Sequence, residues 1–279
     1  MLVTDLDGTL LDPTGRVHRS DAEAIALLRR RGVPVTICTG RMYSGTRQIA
    51  QQLGIEGPVA CVDGSHIVHV STRRNLLIAT LEHDAAEMLR QWLSQIGLAS
   101  FAFASDAIAH DPTGVRYLPL VRAWSERMIA VKSVTSEEGW ATLKEISAIV
   151  AIGDKDAVDA VVAGMGADAS VPWRQRLQMV TFPLRGPGVK NCWALLVRRA
   201  DTDKGTAVAW LANYHGISVE HVVAVGDWVN DVPMFKVAGK SFVMSQAPSE
   251  VQQAASHVLA AHTQSGGGIR EAAERAGLL

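Results

Sequence analysis

Four aspartates fall in two short clusters, Asp5-Leu6-Asp7-Gly8-Thr9 and Gly226-Asp227-Trp228-Val229-Asn230-Asp231. Each cluster follows an apolar run, Leu2 to Thr4 in the first case and Val222 to Val225 in the second. Residues i and i+2 of an extended segment point the same way, so Asp5 and Asp7 are expected to project together from a strand end. Two carboxylates at close range repel and need a cation or a shared proton. Mg²⁺ suits hard oxygen ligands of this kind. Asp227 completes such a metal site with Asp5 and Asp7, while Asn230 and Asp231 ligate the ion, hold its waters or orient its ligands. The plainer readings are a solvated turn for the first cluster and an Asx turn opening a helix for the second.

Two further turns carry phosphate chemistry. Thr39-Gly40-Arg41 follows the apolar run Val33 to Cys38. A hydroxyl and bare backbone N–H groups at a strand-to-helix turn suit a phosphate oxygen, although a plain turn with a helix cap reads the same way. Asp203-Lys204-Gly205 opens the helical stretch ahead of the second acidic cluster. A lysine there neutralises phosphate and holds Asp5 ionised, or it is simply a surface residue. Gly8, Gly40, Arg41, Lys204 and Asn230 are the candidate phosphate contacts.

The elements that must place these turns alternate. Helical patterns at Ser20 to Arg31 and Ser44 to Leu53 separate strand-like runs at Leu2, Val33 and Val59, each with turn signals at its end. The alternation returns with a helix over Thr202 to His215 and strands at Val222 to Val225 and Ser241 to Met244. It implies an α/β fold, a doubly wound, Rossmann-like parallel sheet covered on both faces. The middle differs. A long amphipathic helix at Glu82 to Ile96, a hairpin around Ser105-Asp106, a helix over Asp154 to Met165 and strands near Val171 to Arg174 and Gln178 to Phe182 suggest an inserted α+β unit. The domains are expected at 1–79 with 186–279, and at 80–185.

Bulk properties narrow the field. The 279 residues are 48% hydrophobic and 20% charged, an ordinary globular balance. Lys and Arg number 27 against 28 Asp and Glu, a net charge of −1. That predicts no nucleic-acid or membrane partner. Arg29 to Arg31 reads as a helix C-terminus carrying favourable cations. The three cysteines, Cys38, Cys61 and Cys192, lie in apolar runs and fit buried free thiols in a reducing compartment. No secretory signal and no membrane span are read. The expectation is a cytoplasmic monomer or homodimer.

The four turns, in this order, resemble the motifs of the haloacid dehalogenase (HAD) superfamily, and the resemblance is close for its Cof-type phosphatase branch. It covers the whole chain, with the middle unit standing where that branch carries an α/β cap. The resemblance implies that Asp5 is the nucleophile and Asp7 the general acid/base, whose backbone carbonyl also serves Mg²⁺. It assigns the family's Thr and Lys roles to Thr39 and Lys204, and its acidic metal ligand to Asp227. The implied function is a Mg²⁺-dependent phosphatase for small phosphorylated metabolites such as sugar phosphates, working through an aspartyl-phosphate. The rivals are a phosphomutase of the same fold, phosphomannomutase-like, and a non-catalytic regulator that binds phospho-ligands.

Two positions depart from the family pattern. Trp228 stands where a small or polar residue is common, and either stacks on a flat group or fills space. Asp63-Gly64 replaces a frequent Asn-Gly, which keeps the turn and adds a negative charge. His66 and His69, three apart in a strand-like run, face opposite sides and share no metal. His110, Arg116, Arg122, Arg174 and Arg176 read as surface residues of the inserted unit, with substrate binding the alternative. Gly266 to Gly268 is a flexible connection or an anion-binding helix start. The segment Arg185 to Lys190 is a linker that could touch substrate.

Overall fold

The computed structural model describes residues 1–167, 175–184 and 191–279. The strand expected at Val171 to Arg174, Arg174 itself and the linker Arg185 to Lys190 lie outside the described residues. The chain divides into two compact units. One comprises Met1–Gly40, Arg47–Leu77 and Thr202–Leu279, and the other Arg41–Thr46 and Ile78–Asp201.

The first unit is built on a five-stranded parallel sheet. Its order is His257–Val258, Lys240–Val243, Val223–Gly226, Leu2–Thr4, Val35–Ile37. Val3, Ala224 and Val243 share a buried cluster with Ala207, Val208 and Leu211 of the helix Lys204–Tyr214 and with Met234 and Phe235 of the helix Val232–Val237. The helix Gly268–Arg275 contacts Val223–Gly226, and Arg19–Arg30 contacts Val35–Ile37. The sheet is therefore doubly wound. Sequence order runs one way from Leu2–Thr4 to Val35–Ile37 and the other way through Val223–Gly226. The switch point lies between Leu2–Thr4 and Val223–Gly226, and open α/β sheets bind ligands beyond the strand ends at such a point.

One part of this unit does not alternate. Pro58–Cys61, His66–His69 and Arg74–Ile78 form a three-stranded antiparallel sheet. It meets the parallel sheet through a bridge between Cys38 and Ala60 and a bond from the Thr36 hydroxyl to the Pro58 carbonyl, 2.6 Å.

The second unit is a six-stranded sheet. Its order is Leu177–Leu184, Cys192–Arg199, Ile146–Asp154, Ala99–Ala104, Ala107–His110, Met128–Ala130. All pairings are antiparallel except the last. Leu89 and Leu93 of the helix His83–Ile96, and Val158 and Val161 of the helix Lys155–Ala167, pack on Ala102, Ile149, Ala151 and Leu195. The hairpin turn at Ser105 and Asp106 has φ of +46° and +58°, the pair of left-handed residues a tight two-residue turn requires. The sequence placed residues from 186 onward with the parallel sheet. Instead Cys192–Arg199 sits inside the antiparallel sheet, pairing on both edges, and the chain passes between units near 201.

Candidate active site

Leu2–Thr4 is fully buried and stops at Thr4, so Asp5 leaves the sheet immediately above the switch point. Val223–Gly226 delivers Asp227 beside it, since the Asp5 N–H donates to the Val225 carbonyl at 2.9 Å. The helix Lys204–Tyr214 supplies the third group. Asp203 caps this helix by accepting from the Thr206 N–H, and Lys204 follows as the first helical residue, fully buried.

Lys204 Nζ donates to Asp5 Oδ1 at 2.7 Å and to Asp231 Oδ1 at 2.6 Å. The other oxygen of Asp231 accepts from the backbone N–H groups of Asp227 and Trp228, at 2.8 and 2.9 Å. Asp231 thus folds its own loop back onto itself and anchors the lysine. Asp227 Oδ1 accepts from the Thr9 hydroxyl at 2.9 Å, which ties the two acidic clusters together. Gly8 is left-handed, φ +81°, and a Cβ there would lie 2.2 Å from Asp227 Oδ2. Only glycine fits.

Asp5, Asp227 and Asp231 each offer an oxygen within 4.8 Å of the others, and all three are buried. The Lys204 ammonium lies among these three carboxylates. Burial, reinforced by Asp231, Asp227 and Asp7, pushes the Asp5 carboxyl well up, against the pull of Lys204. Burial and then Asp231 raise Asp227 to about 7. Burial works against the charge on Lys204, yet Asp231, Asp5 and Asp63 outweigh it and hold the ammonium well above an ordinary lysine. Excess buried negative charge of this kind is what a divalent cation neutralises. Oxygen-only donors suit Mg²⁺, with Oδ2 of Asp5 and of Asp227 left for it among the described residues, so the residues fit the ion.

Asp7 lies beyond the end of the strand Leu2–Thr4. Asp5 is 5% exposed, whereas Asp7 is exposed to solvent. Its charge is still close enough to raise both Asp5 and Asp227. Thr39 is buried and held by backbone bonds, its N–H to the Ala60 carbonyl and its carbonyl from the Asp63 N–H, both 2.9 Å. Gly40 lies under Asp63 and Asn230. Arg41 groups with the second unit, where its guanidinium donates to the Gly45 carbonyl at 3.3 Å.

Of the remaining candidates, Arg176 pairs with Glu82 and Asp84, and Arg116 stacks on Tyr117. His110 is buried against the Asp111 carbonyl, and Arg122 is exposed. His66 bonds Asn75, and His69 bonds Ser71. Trp228 is half-buried. The sequence did not reveal that Gln246 braces the first turn. Its amide donates to the Gly8 carbonyl at 2.6 Å and accepts from the Thr263 N–H at 3.1 Å. No spacing rule links residues 238 apart in sequence.

A doubly wound sheet thus carries a lysine-bridged carboxylate cluster at its switch point. Residues 2–272 match the haloacid dehalogenase-like hydrolase family, and the chain belongs to it. Among its relatives, pyridoxal phosphate phosphatase YbhA of Escherichia coli K12 is 24% identical over 266 residues, covering 94% of each chain. The phosphoglycolate phosphatase of Methanopyrus kandleri is 24% identical over 95% of this chain and 93% of its own. Phosphatase YwpJ of Bacillus subtilis reaches 26% over 92% and 93%. The fold is that of a haloacid dehalogenase-like hydrolase from Bacteroides thetaiotaomicron, with a TM-score of 0.80 at 19% identity over 98% of both chains. It is equally that of a HAD subclass IIB sugar phosphatase, with a TM-score of 0.81 at 18% identity over 100% and 99%.

Proposed function

We propose that the protein is a Mg²⁺-dependent phosphatase that hydrolyses small phosphate monoesters, sugar phosphates among them, through an aspartyl-phosphate on Asp5. The observation that carries the reading is Asp5 itself, a buried carboxylate held by Lys204 beside Asp227 and Asp231. Relatives that act on pyridoxal phosphate and phosphoglycolate support the substrate class.

The steps follow from the residues. A carboxylate oxygen of Asp5 attacks phosphorus in line as the ester P–O bond breaks, and Asp7 gives its proton to the departing oxygen. Solvent exposure suits Asp7 to that exchange. Asp7 then takes a proton from water, whose oxygen attacks phosphorus and breaks the bond to Asp5, freeing inorganic phosphate. General acid–base help of this kind is worth roughly 10²–10⁴-fold. Lys204 keeps Asp5 fixed and offsets charge on the transferring group. Thr39, Gly8, Gly40 and Asn230 line the turns around it. Asp5 and Asp227, with the backbone of Asp7, would hold Mg²⁺, which would supply positive charge for the phosphoryl oxygens.

The test is phosphate release from sugar phosphates, pyridoxal phosphate, phosphoglycolate and p-nitrophenyl phosphate, with Mg²⁺ or with EDTA. Mg²⁺-dependent release by wild type and none by Asp5→Asn is the expected result. An isomerised phosphate ester in place of free phosphate turns the reading to a mutase. Activity retained by Asp5→Asn overturns the nucleophile.

A further inference from the structure

Val62, Asp63 and Gly64 are three consecutive left-handed residues, with φ of +49°, +49° and +99°. Gly64 adopts this readily, but a β-branched valine there is a true outlier. Such strain persists only where the surroundings enforce it, and it concentrates at functional sites. The surroundings here are the three other turns of the site. The Asp63 N–H donates to the Thr39 carbonyl at 2.9 Å. A Cβ on Gly64 would lie 2.6 Å from the Asp203 carbonyl, so the turn packs directly against the start of the Lys204 helix. The Asp63 side chain reaches the fourth turn. Its Oδ1 accepts from Asn230 Nδ2 at 2.9 Å, directly over Gly40, where a Cβ would stand 3.4 Å from the same oxygen. Asp63 is only 2% exposed. Its charge also acts on Lys204.

We infer that Asp63 is a positioning residue of the phosphate site, one that acts through Asn230. The clamp uses one N–H of the Asn230 amide. The second N–H and Oδ1 bond to nothing else among the described residues, which leaves the N–H to donate to a phosphate oxygen and Oδ1 to accept from a water. Without the clamp, the half-exposed Asn230 side chain rotates freely, and each substrate molecule must order it anew. A fixed amide therefore strengthens ground-state and transition-state binding alike. Its loss shows in KM more than in kcat. The inference rests on the phosphatase reading.

The experiment measures kcat and KM on p-nitrophenyl phosphate with Mg²⁺, and the inhibition constant of inorganic phosphate, for wild type, Asp63→Ala, Asp63→Asn, Asn230→Ala and the Asp63→Ala/Asn230→Ala double variant. Asp63→Ala is expected to raise KM and the phosphate inhibition constant about tenfold, with kcat lowered by less than about threefold. Asp63→Asn keeps an acceptor for Nδ2 and is expected to stay within about twofold of the wild-type KM. In the double variant the Asp63 change should add less than it costs alone, because the residue it acts through is gone. Asp63→Ser, polar but too short to reach Nδ2, replaces Asp63→Ala should that variant not fold. Failure of both to fold assigns Asp63 to structure alone and overturns the inference. Wild-type KM in Asp63→Ala, or additive effects in the double variant, overturn it as well while leaving the phosphatase reading intact. A wild type that releases no phosphate overturns that reading and the inference with it.

Discussion

Lys204 has no exposed surface and divides its ammonium between two carboxylates that approach from different elements. Removing it strands Asp5 and Asp231 as unpaired buried charges. Breaking a buried pair from one side costs on the order of 3–5 kcal/mol. Lys204→Met is thus expected to lower the urea midpoint by that equivalent and to abolish phosphate release. A variant with wild-type stability would refute the bridge. From sequence the lysine was visible only as one candidate at a helix start, as readily a surface residue. Asp231 was legible as acidic and near a strand end. That its oxygens are consumed by Lys204 and by two backbone N–H groups was not, because it depends on how a four-residue turn closes. Asp5 and Asp227 were legible for a simpler reason. Each ends a buried strand of a parallel sheet, and such strand ends mark themselves in sequence.

At the level of elements, Gly266-Gly267-Gly268 shows how a local signal acquires its meaning from a distant partner. The turn does open a helix, Gly268–Arg275, and an anion does sit at its N-terminus. The anion is Asp21, buried in the helix Arg19–Arg30, which accepts from the N–H groups of Gly267, Ile269 and Arg270 at 2.8 to 3.1 Å. The helix dipole and three donors thus hold an internal carboxylate. Asp21→Ala is expected to cost about 2–3 kcal/mol in urea unfolding. Since Asp21 lies outside the candidate site, KM should be unaltered in the folded variant, and a changed KM would contradict the assignment. The parallel strands and most helices were readable because period and turn chemistry agreed. Cys192–Arg199 was not assignable to its sheet, since Cys-Trp-Ala-Leu-Leu-Val is equally apolar in a parallel or an antiparallel core. The antiparallel arrangement of His66–His69 and Arg74–Ile78 was likewise hidden, because short connected strands carry no signature of the sheet they join.

On the scale of the molecule, the switch point gathers like charges that the fold must then tolerate. The metal-free folded protein relieves this by holding protons. Burial and Asp231 raise Asp227 to about 7, and Asp5 is pushed up as well. The unfolded chain releases the same protons near pH 4, the ordinary carboxyl range. The folded state therefore binds more protons between about pH 4 and 7, and by linkage its stability falls as pH rises through that window. A divalent cation works in the opposite sense, because it binds the ionised carboxylates and must displace protons below pH 7. Its apparent affinity should weaken up to about tenfold per pH unit for each proton displaced. Thermal melts in millimolar Mg²⁺ and in EDTA, at about pH 6 and about pH 8, are expected to show a larger Mg²⁺ increment at the higher pH. Asp227→Asn should lose most of that increment, since a neutral amide offers a weaker ligand and no charge. An increment that is equal at both pH values, or one that survives in Asp227→Asn, would place the cation elsewhere than at the end of Val223–Gly226.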